Sequence, residues 1–250
     1  MNSDDASASD LDSQFKSSGI TKYSYTPEST SSVPSSWPTL QELISQDTRL
    51  LTFVASLSPS SNTVAPYLMD EFTYIWENPY DNSSPSNFSC LPDRPTIVKG
   101  SITAATSSGR MALMNHFLYS TEAFGIEQPN VDAVNTTNAP NGGVGNLGST
   151  ASKCKSAIGK APTFILVDFF DQGPALATVD QLNGITAVGR TSVPDSNSEV
   201  SHTSGAGKKS NIFKGLTDLT NSVSKGAKPT LGNWIWVGGN WGAALGAVSI

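Results

Sequence analysis

The stretch "APTFILVDFFDQGPALATVDQLNG", residues 161–184, decides the fold. Phe164, Ile165, Leu166 and Val167 form a short apolar run of the kind found in strands buried on both faces. Pro174 then opens a helical pattern, with Leu176, Val179 and Leu182 at helical spacing and Asn183-Gly184 at its end. Strand, loop and helix in that order make one unit of a parallel sheet. Asp168 stands between them, followed at once by Phe169 and Phe170. A carboxylate in such apolar surroundings is unfavourable unless paired or hydrogen-bonded. Asp168 is therefore the residue whose partner and purpose most need explaining.

Three earlier segments repeat the pattern. Strands are expected at "RLLTFVAS" (49–56), around 69–76 in "VAPYLMDEFTYIWENPYD", and around 110–118 in "GRMALMNHFLYS". Helices are expected at "ASDLDSQFKSS", with Leu11 and Phe15 on one face, and after Thr39, where Glu42 completes a capping box. "STASKCKSAIGKAP" supplies another, ending near Gly159. Apolar strands alternating with helices, without tight hairpins, imply an α/β fold with parallel strands. About four β/α units are visible, half of an eight-stranded TIM-type barrel. Two open sheet edges would then favour self-association.

Four regions are expected: a polar N-terminal segment (1–36), the β/α body (37–190), a Ser/Gly/Lys-rich linker (191–230) and a disordered Trp/Gly-rich apolar tail (231–250). The tail is uncharged but holds five glycines, so it is weak as a membrane-spanning helix. It fits either a removable lipid-anchor signal or a Trp-rich strand. The net charge of −6 argues against a nucleic-acid partner. Two cysteines, Cys90 and Cys154, allow one pairing. Asn82, Asn87 and Asn135 head glycosylation sequons in polar stretches. Sequons beside a possible pairing of cysteines point to an oxidising compartment. "MNSDDASASD" has neither the basic start nor the apolar centre of a signal peptide.

Several residues invite a chemical reading. Gly143, Gly145 and Gly148 match a dinucleotide fingerprint, but a loop precedes them rather than a strand, so no nucleotide cofactor is expected. His116 lies near the end of a strand, where barrel chemistry gathers, although a hydrogen-bonded core histidine fits equally. His202 falls in the linker. If residues 69–76 are a strand, Asp70, Phe72 and Tyr74 share one face, an acid and a phenol suited to polyhydroxyl recognition. A helix cap is the competing role for Asp70. No cluster of Cys, His and Asp has metal-ligand spacing, and no metal is expected. A glycosidase-like barrel using Asp70 and Asp168 rests on nothing beyond the two acids.

The runs "SWPTLQELISQDTRLLTF", "APYLMDEFTYIWENPYD", "FSCLPDRP", "LMNHFL" and "CKSAIGKAPTFILVDFFDQGPALATVDQLNG" together resemble the second half of fungal phosphatidylinositol phospholipase C-like proteins, of the PLC-like phosphodiesterase superfamily. The resemblance runs from about residue 14 to about 190. It implies a secreted or surface phosphoric diester hydrolase of lipid metabolism, acting on phosphatidylinositol-like lipids or glycosyl-inositol phosphodiesters at a membrane surface. No metal or other cofactor is implied. In such enzymes one histidine deprotonates an inositol hydroxyl, a second protonates the leaving oxygen, an arginine steadies the phosphoryl charge, and a last-strand aspartate orients the base. Asp168 matches that aspartate. Asp70, Tyr74, Asn115 and His116 are expected to bind substrate, and Cys90–Cys154 to form a disulfide. The family's catalytic histidines lie on early strands that have no counterpart here, so the chain alone is expected to be inactive. The alternative is a non-catalytic head-group-binding protein or inactive fragment.

Overall fold

The computed structural model describes residues 7–55, 57, 63–121, 124, 127–170 and 172–186, with the strand backbones of 234–237 and 246–248. The linker, with His202, lies outside the described residues.

The first helix, α1 (Ala8–Ser18), starts at a reciprocal Ser7–Asp10 capping box and stops at Gly19, whose φ of 71° is the left-handed conformation that suits glycine. Its Ala8, Leu11 and Phe15 pack against Leu50, Val54 and Leu68. The polar N-terminal segment thus contributes a helix to the core. The second helix, α2 (Leu40–Ser45), begins at the expected Thr39–Glu42 box.

Strands β1 (Leu51–Val54) and β2 (Leu68–Asp70) follow and pair in parallel. A four-residue helix, α3 (Glu71–Tyr74), interrupts the expected second strand, which resumes as β3 (Ile75–Glu77). After α4 (Ile102–Ser107) comes β4 (Met111–Asn115), parallel to β3. An antiparallel pair, β5 (Tyr119–Thr121) and β6 (Glu127–Pro129), was not legible as a hairpin. The chain continues through α5 (Val134–Thr137), α6 (Leu147–Ile158), β7 (Phe164–Val167) and α7 (Ala175–Leu182). Strands β8 (Trp234–Val237) and β9 (Gly246–Val248) lie in the tail that was expected to be disordered.

The architecture is mixed α/β, with no closed barrel among the described residues. One sheet runs β3-β4-β7-β8, all parallel, and another runs β2-β1-β9. The outer edges of β7 and β1, expected to be open, are paired with β8 and β9.

Strand parity separates two faces. Leu51, Phe53, Met69, Ile75, Met111, Leu113 and Phe164 share one cluster, here the inner face, whose base is covered by Trp37, Leu40 and Leu43. Met114, Ile165 and Val167 point the other way, onto Leu147 and Ala151 of α6 and Val179 of α7. The Cys90–Cys154 disulfide is formed and ties the loop after β3 to α6.

The three glycines of the apparent dinucleotide motif serve packing. A Cβ at Gly148 would stand 1.9 Å from the Pro140 carbonyl oxygen, and one at Gly145 2.6 Å from that of Pro85. Asn146, between them, caps α6 through Ser149 N–H.

Candidate functional site

The inner face is apolar at its base and polar at the C-terminal ends of its strands. Glu77 ends β3 with the parity of Ile75, and Asn115 ends β4 with the parity of Met111 and Leu113. Asp168 stands one residue beyond β7 and continues the parity of Phe164 and Leu166. Three adjacent parallel strands therefore each end in a polar side chain on one face.

Glu77 and Asn115 are bound to one another. The Asn115 Nδ2 donates to Glu77 Oε2 at 2.8 Å and to the Asn78 carbonyl at 2.9 Å, and Asn115 N–H donates to Asn78 Oδ1 at 2.6 Å. The other Glu77 oxygen forms an ion pair with Arg94. The Arg94 guanidinium lies between two rings, 5.0 Å from the Phe72 centroid and 4.5 Å from that of Tyr80. It is 42% exposed while Glu77 is 3% exposed, so a buried acid anchors a cation that remains open to solvent. Burial, reinforced by the Glu77 charge, pushes Glu71 up to about 7 against the opposing pull of Arg94.

Asp168 is partly buried, and burial raises its carboxyl to about 6. Among the described residues its carboxylate has no hydrogen-bond or ion-pair partner. Tyr119, whose hydroxyl is raised by burial and by the neighbouring Asp168 charge, borders it and also lies in the field of Tyr80. Asp168, Tyr119, Tyr80, Arg94, Glu77 and Asn115 thus form a continuous polar rim.

The other expected site residues lie elsewhere. Asp70 caps α3, its carboxylate accepting from Thr73 N–H at 2.9 Å and from the Thr73 hydroxyl at 2.8 Å. Tyr74 is fully buried, bonds the Ser29 carbonyl and meets Trp37 edge-on. Both placements follow from α3: a helical turn breaks the alternation that would have put Asp70 and Tyr74 on one strand face. His116 is fully buried on the face opposite Asn115, stacked on Phe88 with centroids 4.2 Å apart. Its Nε2–H donates to the Thr137 carbonyl at 3.0 Å. Burial pushes it down to about 4, so it is neutral across the ordinary pH range. It is the core histidine of the competing reading.

Of the sequons, Asn87 and Asn135 are exposed. Asn82 is 2% exposed and its Nδ2 donates to the Pro79 carbonyl at 2.9 Å, which leaves no room for a glycan in the folded chain.

Glu77 and Arg94 were missed in the sequence. The signal for Glu77 was present in "YIWENP", which, like "FILVDF", is an apolar run ending in an acid. Arg94 carries none, because its partner lies seventeen residues back across a loop. Among the described residues no group of three or more His, Cys, Asp or Glu side chains is placed to hold a metal ion.

The fold is mixed α/β, with a polar rim at the ends of three adjacent parallel strands. The match to known families is specific: the chain belongs to the PI-PLC X domain family, which matches residues 1–183. Two similar proteins come from Arthroderma benhamiae (strain ATCC MYA-4681 / CBS 112371). An "Uncharacterized secreted protein" is 33% identical over 196 residues, covering 76% of this chain and 42% of the relative. A "PI-PLC X domain-containing protein 1" is 33% identical over 185 residues, covering 74% of this chain and 57% of the relative. The chain therefore spans about half the length of these relatives. No solved structure matches it significantly.

Proposed function

We propose that the chain supplies the head-group-holding wall of a phosphoric diester hydrolase acting on phosphatidylinositol-like lipids or glycosyl-inositol phosphodiesters. In this reading the sheet is one side of a PLC-like TIM-type barrel, and Asp168 orients a base histidine that enters from outside the described rim. The carrying observation is Asp168 itself: a partly buried carboxyl with no partner among the described residues, at the end of a parallel strand in a member of the PI-PLC X family. Arg94, Tyr80 and Tyr119 contact the polyol and its phosphate; Asn115, 2% exposed and with its amide nitrogen bonded to Glu77 and Asn78, supports Glu77 from behind rather than binding substrate as expected. The family and the secreted relative support an extracellular or surface location and a role in lipid metabolism.

A non-catalytic head-group-binding protein is the second reading. It is favoured by His116, whose burial and stacking remove it from the rim. Two assays on the full chain separate the readings: hydrolysis of phosphatidylinositol in vesicles, and calorimetric binding of glycerophosphoinositol. The expected results are binding that Arg94→Ala weakens about tenfold, as for loss of one charge-assisted contact, and no turnover until a histidine-bearing partner segment is added. Absence of binding retires both readings. Turnover by the chain alone, abolished by His116→Ala, contradicts the placement of the base outside it.

A further inference from the structure

The turn that carries Asp168 is held by a residue thirty positions away. Asn138, at the C-terminal end of α5, is 1% exposed. Its side-chain Nδ2 points at three carbonyls of one turn: Asp168 at 3.1 Å, Gln172 at 3.0 Å and Phe169 at 3.4 Å. Three acceptors for two hydrogens make a shared, multi-centre clamp. The Asn138 backbone carbonyl accepts from the Thr178 hydroxyl of α7 at 2.8 Å, so the helix after the turn grips the same residue.

The turn needs such a grip. Phe169 has a φ of 48°, a left-handed conformation that a bulky non-glycine residue avoids unless its surroundings impose it. Gln172 N–H closes the turn onto the Phe169 carbonyl at 2.8 Å. Gly173, also left-handed, sits close against α5, where a Cβ would stand 3.3 Å from the Val134 carbonyl oxygen. The chain direction just past Asp168 is therefore dictated by α5 rather than by β7.

We propose that Asn138 is the positioning residue of Asp168: by clamping the turn it keeps the Asp168 carboxyl on the inner face and partly withdrawn from water. The inference deepens the reading of Asp168 above and depends on it only for functional meaning. Asparagine is suited to the position because it presents two N–H donors on a short stem; aspartate has the same shape and would face three carbonyls with no donor.

The test follows the Asp168 carboxyl by NMR titration of its side-chain carbon in the full chain. The titratable group facing it among the described residues is Tyr119 of β5, which stays protonated over the range used. The native midpoint is expected at about 6. Asn138→Ala should release the turn into water and increase the acid dissociation constant about tenfold or more, toward the ordinary carboxylate value. Adding Phe169→Gly, which adopts a left-handed φ without strain, should restore most of the shift. An unchanged midpoint in folded Asn138→Ala, or no restoration by the glycine, overturns the proposal. If Asn138→Ala fails to fold, Asn138→Ser keeps one donor on a shorter stem and should give an intermediate midpoint; a native midpoint there overturns the proposal equally. Glycerophosphoinositol binding on the same variants keeps the two claims apart. A shifted midpoint with native binding upholds the clamp and counts against the functional reading of Asp168.

Discussion

Residues 116 and 168 make an instructive pair. They lie at the ends of neighbouring parallel strands, and the His116 N–H donates to the Leu166 carbonyl at 2.8 Å. Yet they face opposite ways. His116 falls on the helix side, stacks on Phe88 and is pushed down to about 4. Asp168 falls on the inner side, lacks a described partner and is pushed up to about 6. Desolvation drives both shifts, but the outcomes differ in kind. The histidine is a neutral packing element with a bonded Nε2, whereas the acid is a partly buried carboxyl with no partner among the described residues. Strand parity, set by one peptide unit, decides which residue belongs to the core and which to the site.

The largest effect expected concerns the helix side. Replacing Cys90 and Cys154 by serine opens a loop spanning 64 residues. Chain-entropy reasoning puts the loss of stability at about 4 kcal/mol, read from denaturant unfolding of the full chain. Because the bridge anchors the helix side, the Asp168 midpoint should move little in whatever fraction stays folded. A large midpoint change would show that the two faces are coupled. Next in size is His116→Ala, which empties a fully buried stack. It should cost about 3 kcal/mol while leaving glycerophosphoinositol binding intact. Loss of binding without loss of stability would move His116 into the site.

An acid titration of stability sharpens the contrast, because the two groups act with opposite sign. His116 has a folded value of about 4, below its unfolded 6.5. Its contribution is present above pH 6.5 and is lost as pH falls toward 4. Asp168 has a folded value raised from 3.8 to about 6. The strain of its charged form is present above pH 6 and is relieved as pH falls through that value toward 4. In the native chain the two partly cancel. His116→Ala should remove the loss, so the variant melts relatively higher on going from pH 6.5 to 4. Asp168→Asn should remove the gain and steepen the loss, with an effect of about 1 kcal/mol after allowance for its partial exposure to solvent. Parallel melting curves for the two variants would erase the distinction drawn between the faces.

How far the sequence disclosed this arrangement depends on the length of the pattern being read. The runs at 51–54, 111–115 and 164–167 are mostly apolar, broken only by Thr52 and ended by Asn115, so strands and parallel order were legible. The caps at Thr39 and Gly159 were legible because their chemistry is local. The residues around Asp70 were misread because "DEFTYIW" alternates well enough for a strand. The capping bond from Asp70 to Thr73, a contact three residues long, wins instead. The short β5 and β6, "YST" and "EQP", carry no apolar alternation that marks them as strands. Asn138 and Arg94 were invisible for a different reason. Each acts across a tertiary gap, on the turn after β7 and on Glu77, that no local pattern encodes.

The smallest expected effect tests the residue whose assignment changed most. Asp70 ends β2 and also caps α3, and the cap turns its carboxylate onto Thr73 rather than toward the polar rim. Its carboxylate is engaged by Thr73, and Arg110, whose Nε donates to the Phe72 carbonyl at 3.0 Å, lies in its field. Asp70→Ala should therefore cost about 1 kcal/mol, the usual loss for an N-cap, and Asp70→Ser should recover most of it because serine caps equally well. Neither substitution should change glycerophosphoinositol binding, whereas Arg94→Ala should. The decisive readout is the pairing of the two measurements. If Asp70→Ala weakens binding as much as Arg94→Ala and leaves stability untouched, α3 rearranges when the head group binds. The polar rim would then extend across β2, with Asp70 in the place its sequence first implied.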